Sequence, residues 1–456
     1  GSGLSAAVKA AEAGKKVLLI EKMPALGGDT ILNAGTLIAT GSRFQREVLK
    51  ETGDSPELAY KDIMRIGGNA NDPVLVKMVT EKAGGVVDWL VDDLKIRYDV
   101  AATQYPDHSA RRQIGVVGRS VAFIKQMSEK LTAMGGTILL ETRATDFIVK
   151  NGQVVGVKAT NAQGETLNIS AKSVVLATGG FGANTPMLPA SLKGYLFYGI
   201  DSETGDGFKM ATAIGANIIN LDCVKVYPQG IELVPTRGLA ATASSTAATM
   251  GHGAIYVNAK GQRIVSEVAA LGDLTQATIA QEGKIMYLVM DADAWKTYVA
   301  KSIEDKLIAK DTDIEAWFKV SNAGKPIVVR NGDVKAAAAA MGIDANGLAS
   351  TIEGYNAMCA AGKDSAFGKP NPVALGSGPY YIVEQKPRFQ TTLGGLKADA
   401  SLAILDKGGK RIPNLFGAGC VVGGANGKDS MTAMMNSWAL VSGAVAGESA
   451  VANLKK

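Results

Sequence analysis

The sequence predicts an α/β fold in which a Rossmann-like dinucleotide-binding domain is interrupted by an α+β domain. A glycine, Gly3, opens a helical segment with small and apolar residues on one face, and Gly14 ends it. The aliphatic strand Val17–Ile20 follows and delivers the carboxylate of Glu21. The alternation of predicted helices and strands stops in the middle of the chain and resumes near its end. We therefore expect residues 1–221 and 392–456 to form one domain and residues 222–391 to form a second.

The first helix and strand have the spacing of a nucleotide-binding unit. The helix N-terminus favours a pyrophosphate, and the carboxylate of Glu21 can accept both ribose hydroxyls of an adenosine. The distance from Gly3 to Glu21 suits the motif if Gly3 is its third glycine, which places the first strand upstream of the given sequence. The alternative, Gly1 and Gly3 as the first two glycines, leaves no strand before the turn.

The elements that follow continue the alternation to a ligand-binding turn. A helical stretch is expected around 56–96, and strands are expected at 137–140, 147–149, 154–159 and 173–177. The last of these is a continuous apolar run that ends in Thr178-Gly179-Gly180. A continuous apolar run is typical of a strand that is buried on both faces. In a parallel sheet, ligands bind at the turn that follows such a strand.

The middle segment differs in composition, and the last segment resumes the first pattern. Strands at Ala254–Asn258 and Arg263–Ser266 flank a turn and predict a hairpin. A helix with a tryptophan is expected over 292–300. After 392, a strand at 402–405, a glycine cluster at 417–427 and a helix of small residues at 437–453 complete the nucleotide domain.

Composition limits the classes of function. The chain is 46% hydrophobic and 20% charged with a net charge of +5, and the charges are well mixed, so it predicts no nucleic-acid partner. Its 3 cysteines lack CxxC spacing, which argues against an iron–sulfur cluster, a c-type haem or any metal site. The sequence lacks an uninterrupted apolar run of about 18 residues, so we expect no membrane span. The compartment stays open between cytoplasmic and periplasmic or extracellular.

Six motifs occur in an order that identifies a family. They are Gly3-Leu4-Ser5-Ala6-Ala7, Glu21-Lys22 with Gly27-Gly28-Asp29-Thr30, Ala177-Thr178-Gly179-Gly180-Phe181, Gly205-Asp206-Gly207, Gly253-Ala254-Ile255-Tyr256-Val257-Asn258 and Leu415-Phe416-Gly417-Ala418-Gly419. Each motif alone is weak, but the ordered set resembles the flavoproteins that include soluble fumarate reductase (flavocytochrome c), urocanate reductase and 3-ketosteroid dehydrogenase. The resemblance spans essentially the whole chain.

The resemblance implies a non-covalent FAD in a glutathione-reductase-type domain, with the flavin ring beneath a mobile clamp domain. It implies hydride transfer from flavin N5 to an activated C=C bond, or the reverse, with a protein acid protonating the neighbouring carbon. The partners it implies are a small unsaturated substrate and an electron donor outside this chain, a domain or protein that carries FMN or haem.

The resemblance also assigns FAD contacts residue by residue. The cofactor-binding residues it implies are Gly3, Glu21, Lys22, Gly28, Asp29, Thr30, Asn33, Ala34, Gly35, Thr36, Ala144, Thr178, Gly179, Gly180, Asp206, Gly419, Cys420 and Ser437. One departs from the family pattern: Cys420 stands where a glutamate usually contacts the ribityl chain, which we expect to weaken FAD binding.

On the substrate side, the family's charged residues are replaced. The positions of its substrate histidine, a substrate arginine and the proton-donating arginine hold Tyr227, Met250 and Leu271. The histidine before the second hinge and the C-terminal substrate arginine fall on Thr391 and Ser430. Each lost anchor costs about 2–5 kcal/mol where its partner is buried. We therefore expect an enzyme that reduces an enoate, an aryl-acrylate or an enone and that is not a fumarate reductase.

The proton donor and the substrate contacts stay open among several residues. Tyr227 is the first candidate acid because it replaces a substrate-contacting histidine, and His252 is the second because it lies beside the vacant arginine position at Met250. Lys428 or Arg388 could bind a substrate carboxylate, and His108 lies in a segment that lines the flavin pocket in relatives. The alternatives are a 3-ketosteroid-type dehydrogenase, which an apolar pocket favours, and a catalytically silent flavin-binding protein, which the missing charges favour.

Overall fold

The computed structural model describes residues 1–99 and 101–455. The chain forms two compact units. The first comprises Gly1–Ser191, Gly199–Lys225 and Thr391–Lys456, and the second comprises Leu192–Tyr198 and Val226–Gln390.

The α-helices and strands occur in the following order along the chain. The helices are α1 Ser2–Glu12, α2 Pro56–Ile66, α3 Pro73–Asp92, α4 Val121–Ala133, α5 Asp206–Ala213, α6 Thr242–Gly251, α7 Leu271–Ile279, α8 Ala292–Glu304, α9 Val334–Met341, α10 Ala345–Ala360 and α11 Met434–Asn453. The strands are β1 Leu18–Ile20, β2 Leu37–Ile38, β3 Gln113–Ile114, β4 Thr137–Leu139, β5 Arg143–Lys150, β6 Gln153–Thr160, β7 Thr166–Ser170, β8 Val174–Leu176, β9 Leu196–Phe197, β10 Ile218–Ile219, β11 Val224–Val234, β12 Arg237–Ala240, β13 Ile255–Val257, β14 Met286–Met290, β15 Ser321–Asn322, β16 Lys325–Pro326, β17 Val328–Asn331, β18 Tyr380–Thr392, β19 Gly395–Leu396, β20 Ala403–Leu405 and β21 Arg411–Gly417.

The first unit is built on short parallel pairings that join distant parts of the sequence. Strand β1 pairs in parallel with β4, and β8 pairs in parallel with β21 from the last segment. Strands β5, β6 and β7 form an antiparallel sheet. Helix α11 packs against α1 at Gly443 and Gly447, where an added Cβ would lie 2.4 Å from a backbone oxygen of α1. The glycines therefore set the close approach of these two helices.

The second unit has a seven-stranded mixed sheet at its centre. The order is β11-β12-β9-β18-β14-β13, and β17 also pairs with β18. One face of the sheet packs on a core that includes Tyr256, Tyr298 and Trp317, and the other on a core that includes Met341 and Tyr355. An α+β arrangement with helices over both faces buries the sheet.

Two details differ from the sequence predictions. The segment Leu192–Tyr198 groups with the second unit, because β9 pairs with β12 and β18. The predicted hairpin has only one strand, β13, and a single bridge joins Val257 to Arg263. The Asn258 side chain accepts backbone N–H bonds from Lys260 and Gln262, which closes the turn in place of a ladder. Among the described residues, the helices lack the combination of length and apolar character that a bilayer span requires.

Candidate functional site

Glu21 lies directly after β1 in the first unit. Its backbone N–H bonds to the Leu139 carbonyl at 2.8 Å, which extends the β1–β4 pairing, and its Oε1 accepts the Met23 N–H at 2.9 Å. The carboxylate is thus held at the carboxyl end of a parallel strand. That is the position from which an acidic residue binds a ribose in a dinucleotide-binding unit.

The Gly28-Asp29-Thr30 segment forms the first turn of a short 3-10 helix, Gly28–Leu32. Gly27 and Gly28 have φ angles of 141° and 54°, positive values that glycine adopts readily. The Asp29 carboxylate accepts the Ile200 N–H at 3.1 Å. A glycine turn that leads into a helical turn suits a phosphate-binding segment.

Glu203 is a buried acid at the predicted cofactor site that the sequence analysis did not select. Its side chain is 3% exposed, and its Oε1 accepts the Gly180 N–H at 2.9 Å. Burial and the neighbouring Asp29 carboxyl raise the pKa of Glu203 well above its usual range. The two acids therefore share a proton instead of carrying two charges. The signal in the sequence was its place just before the Gly-Asp-Gly motif.

The chemistry around this pair fits a cofactor rich in hydroxyl and phosphate oxygens. In the described chain, two buried hydroxyl oxygens here lack a hydrogen-bond partner: Thr178 Oγ1 and Thr392 Oγ1. At Gly180, an added Cβ would lie 2.2 Å from Thr392 Oγ1. Polar groups aimed at a glycine-lined surface are what the ribityl chain and pyrophosphate of FAD need. Burial and the two acids also raise the pKa of Cys420 well above its usual range, so this thiol stays protonated.

Lys22 and Asp206, both predicted to bind cofactor, bind each other. Lys22 Nζ lies 2.9 Å from Asp206 Oδ2, and Arg143 donates two hydrogen bonds to the same carboxylate. Burial alone would raise the pKa of Asp206, but the bonds from Arg143 and Lys22 outweigh it and lower that pKa. The bonds from Lys22 and Arg143 to Asp206 thus hold the first residue of α5 in place.

The segment predicted to run beneath the flavin is held by a pair of amides. Asn33 and Asn436 exchange side-chain hydrogen bonds at 2.8 and 2.6 Å, and Asn33 Oδ1 also accepts the Gly35 N–H and the Ser120 hydroxyl. Asn436 donates to the Thr36 carbonyl at 3.2 Å. This network joins the segment to the first turn of α11. The sequence analysis missed Asn436 and Ser120, which are polar residues without a local pattern.

The remaining predicted cofactor residues of the first unit have mainly structural contacts. Ser437 Oγ accepts the Ile38 N–H at 3.0 Å and donates to the Ala433 carbonyl, so its hydroxyl joins β2 to α11. Gly3 lies within α1, and Ala34 is exposed. Ala144 on β5 pairs with Ala159 on β6, and Gly179 has a φ of 74°. The N–H of Gly419 donates to Ser442 Oγ.

Three predicted substrate residues also lie in the first unit. Lys428 is exposed, whereas Ser430 is buried and its hydroxyl donates to Asn426 Oδ1 at 2.7 Å. Thr391 is 6% exposed. A cation that the sequence analysis missed, Lys225, lies 2.8 Å from the Asp429 carboxylate.

The candidate acid Tyr227 lies on β11 in the second unit, within a small aromatic and cationic cluster. Its ring meets that of Tyr198 edge-on at 6.3 Å between centroids. The Arg388 guanidinium carbon lies 4.7 Å from the centroid of Tyr227 and 4.1 Å from that of Tyr198. A cation is attracted to the face of an aromatic ring, so Arg388 and the two tyrosine rings stabilise one another.

The second candidate acid, His252, is engaged by helix α8. Its Nδ1 lies 2.6 Å from Asp293 Oδ2, and its Nε2 lies 3.2 Å from Thr297 Oγ1. Both ring nitrogens are used inside the second unit. Met250 and Leu271, where the resemblance places arginines, are 61% and 41% exposed. Exposed apolar side chains are available to contact a ligand.

Comparison with known proteins assigns the family. A family model described as an FAD binding domain matches residues 1–433. The chain belongs to this family. It is 31% identical over 462 residues to the fumarate reductase (cytochrome) of Shewanella frigidimarina, over 100% of this chain and 76% of that protein. It is 31% identical over 463 residues to the urocanate reductase of Eggerthella lenta, over 99% of this chain and 73% of that protein. The open conformation of a flavocytochrome c3 fumarate reductase superposes with a TM-score of 0.80 at 27% identity, over 100% of this chain and 77% of that chain.

Family membership confirms the cofactor and the class of enzyme. The chain is an FAD-dependent oxidoreductase with a mixed α/β flavoprotein fold, and it acts on CH–CH bonds. The substrate and the individual site residues are a separate question.

Proposed function

We propose that this enzyme reduces an activated C=C bond in an enoate, an aryl-acrylate or an enone, and that fumarate is not its substrate. The observation that carries the proposal is the pair Met250 and Leu271, which are exposed and apolar where the resemblance places a substrate arginine and the proton-donating arginine. A dicarboxylate needs a cation for each end, because an unpaired buried charge costs several kcal/mol.

We further propose that the first unit is a Rossmann-like FAD-binding domain and that the second is the clamp domain that recognises the substrate. The supports are the parallel β1–β4 pairing, the Glu21 carboxylate at its end and the glycine turn at Gly27-Gly28. Bound FAD supplies the hydride from its N5 atom. The residues proposed to hold it are the predicted set together with Glu203 and Asn436, both of which bond to members of that set.

The state of the cysteine and histidine side chains supports the proposal that FAD binds non-covalently. Covalent flavin attachment needs an available histidine or thiolate. Burial raises the pKa of Cys223 to about 11, and the thiols of Cys359 and Cys420 also have raised pKa values. His108 is buried with its Nε2 3.0 Å from the Thr432 carbonyl, and His252 is held by α8. The raised thiol pKa values and the burial or engagement of the two histidines therefore support non-covalent binding.

Tyr227 is the proposed proton donor. A phenol can give a proton to a carbanion, and the guanidinium over its ring stabilises the negative charge that the transfer leaves behind. His252 is the weaker candidate, because both of its nitrogens already have partners. The electrons that reduce the flavin come from an FMN- or haem-carrying donor outside this chain, since its 2 histidines and 3 cysteines are dispersed.

A second candidate activity is dehydrogenation of a 3-ketosteroid, which the apolar residues Met250 and Leu271 also suit. The test is turnover by the FAD-loaded protein with reduced methyl viologen as electron donor. The panel contains fumarate, cinnamate, an enone and a steroid, and mass spectrometry identifies the products. We expect a saturated product from cinnamate or the enone and none from fumarate. Rapid succinate formation contradicts the proposal, and steroid oxidation with an artificial acceptor selects the second candidate.

A further inference from the structure

Arg388 differs from the other buried arginines of the chain. Arg112 is ion-paired to Asp54 and Asp62, and Arg263 is ion-paired to Glu267 and Asp364. Arg388 is 4% exposed and, within the part of the chain that the structure describes, forms no ion pair. Its acidic neighbours on the sheet, Glu232 and Glu384, pair with Lys386 instead. Burying a cation without a counter-charge costs free energy, so we expect an anion from outside the chain to pair with Arg388.

The guanidinium is held in place with one donor group unused. Nε donates to the Gln229 carbonyl at 2.8 Å, and Nη2 donates to Thr242 Oγ1 at 2.9 Å. Nη1 is buried and has no hydrogen-bond partner in the described chain. The two bonds fix the plane of the guanidinium, and the third nitrogen remains for a ligand. Nη1 can donate a charge-assisted hydrogen bond to a carboxylate oxygen.

The start of helix α6 adds to the same positive field. Thr242, the partner of Arg388, is the first residue of this ten-residue helix, and no side chain among the described residues caps the helix N-terminus. The helix dipole places partial positive charge there, so Arg388 and α6 repel unless an anion lies between them. This is a second, independent reason to expect a negative group beside Arg388.

Two partly exposed tyrosines cover the guanidinium. Tyr198 and Tyr227 place their rings 4.1 and 4.7 Å from it, and both residues are partly exposed. The rings offer planar apolar surfaces to whatever the carboxylate is attached to. The second unit therefore provides one carboxylate anchor next to two aromatic faces.

We propose that Arg388 binds a carboxylate of the substrate, and that the substrates are unsaturated monocarboxylates with a planar apolar body, such as aryl-acrylates. The inference rests on the proposed function, because it names the substrate class of the same reaction. A single anchor selects a monocarboxylate, since Met250 and Leu271 give a second carboxylate no cation. It also selects against neutral enones and esters of similar shape.

The test compares trans-cinnamate with trans-cinnamamide, which has the same shape without the charge. Dissociation constants are measured by perturbation of the flavin spectrum in the FAD-loaded wild type, in Arg388→Gln and Arg388→Lys, and in the control Arg330→Gln. Arg330 is an exposed arginine of the same unit, paired with Glu315. We expect the wild type and the control to prefer the acid by about 30-fold or more. Arg388→Gln should abolish that preference without changing the affinity for the amide, and Arg388→Lys should restore part of it.

The outcomes separate this inference from the proposed function. Equal losses for acid and amide in Arg388→Gln, or an unchanged preference, overturn it and make Arg388 a structural residue satisfied by buried water. Arg388-dependent binding of cinnamate without reoxidation of reduced flavin supports the anchor and refutes the proposed reduction. Reoxidation by cinnamate and cinnamamide at equal rates supports the reduction and refutes the anchor.

Discussion

The proton shared by Glu203 and Asp29 predicts how the stability of the protein depends on pH. The pKa of Glu203 is raised well above its usual range by burial and by the Asp29 carboxyl. Above the ordinary glutamate value, about 4.3, the unfolded chain releases this proton while the folded protein keeps it. The free energy of unfolding therefore falls as pH rises, by about 1.4 kcal/mol per pH unit for one proton, until the pH passes the folded pKa.

The variant Glu203→Gln isolates the contribution of this proton to the free energy of unfolding. Glutamine keeps the oxygen that accepts the Gly180 N–H and its amide can donate to Asp29, but it does not ionise. We expect the variant to lose the one-proton slope and to be more stable than the wild type at pH 8. Urea unfolding of the FAD-loaded protein between pH 5 and 8.5 measures both, because its transition gives the free energy directly.

The control for this experiment is Glu448→Gln, which changes an exposed glutamate of α11. It should reproduce the wild-type slope. Parallel slopes for the wild type and Glu203→Gln would refute the reasoning, since Glu203 would then be ionised in the folded state. A loss of stability in Glu203→Gln at every pH would refute it as well.

Three further predictions concern the cofactor, the fold and the chemistry. Cys420→Glu restores the carboxylate that the family resemblance places against the ribityl chain and should lower the dissociation constant of FAD about 10-fold by fluorescence titration; unchanged or weaker affinity would contradict this. Asp206→Asn removes the ion pair with Lys22 and should cost about 1.5–3 kcal/mol of unfolding free energy at pH 7. Because the pKa of Asp206 is lowered, that cost should shrink as pH falls below about 4, and a pH-independent cost would count against it. Tyr227→Phe keeps the ring beneath the guanidinium and loses only the hydroxyl, so turnover should fall about 100-fold or more with flavin content unchanged; full turnover would exclude it as the acid.

Local features of the chain could be predicted from the sequence because neighbours along the chain determine them. The helix from Ser2, the strand ending before Glu21 and the turn at Gly27-Gly28 follow from apolar spacing and from glycine. The start of α11 at Met434 lies three residues before the predicted start, because Ala433 adopts a left-handed conformation that a small-residue pattern does not reveal. Helix ends are set by such backbone details.

The missed residues act through partners that are distant in sequence. Glu203 shares its proton with Asp29, and the side chain of Asn436 donates a hydrogen bond to that of Asn33. Arg388 was only one of several candidate cations in the sequence, and its distinction is the lack of an acid partner in the described chain. Pairing, burial and unused donors are tertiary properties, so the sequence could place Arg388 among several candidates and Glu203 beside a motif but could not give their roles.

The most direct test of the central claim is a single turnover of the reduced flavin. The FAD-loaded protein is reduced anaerobically with dithionite and mixed with either cinnamate or fumarate, and the return of oxidised flavin absorbance is followed. The account predicts rapid reoxidation by cinnamate and little by fumarate. Reoxidation by fumarate at the same rate or faster would contradict it.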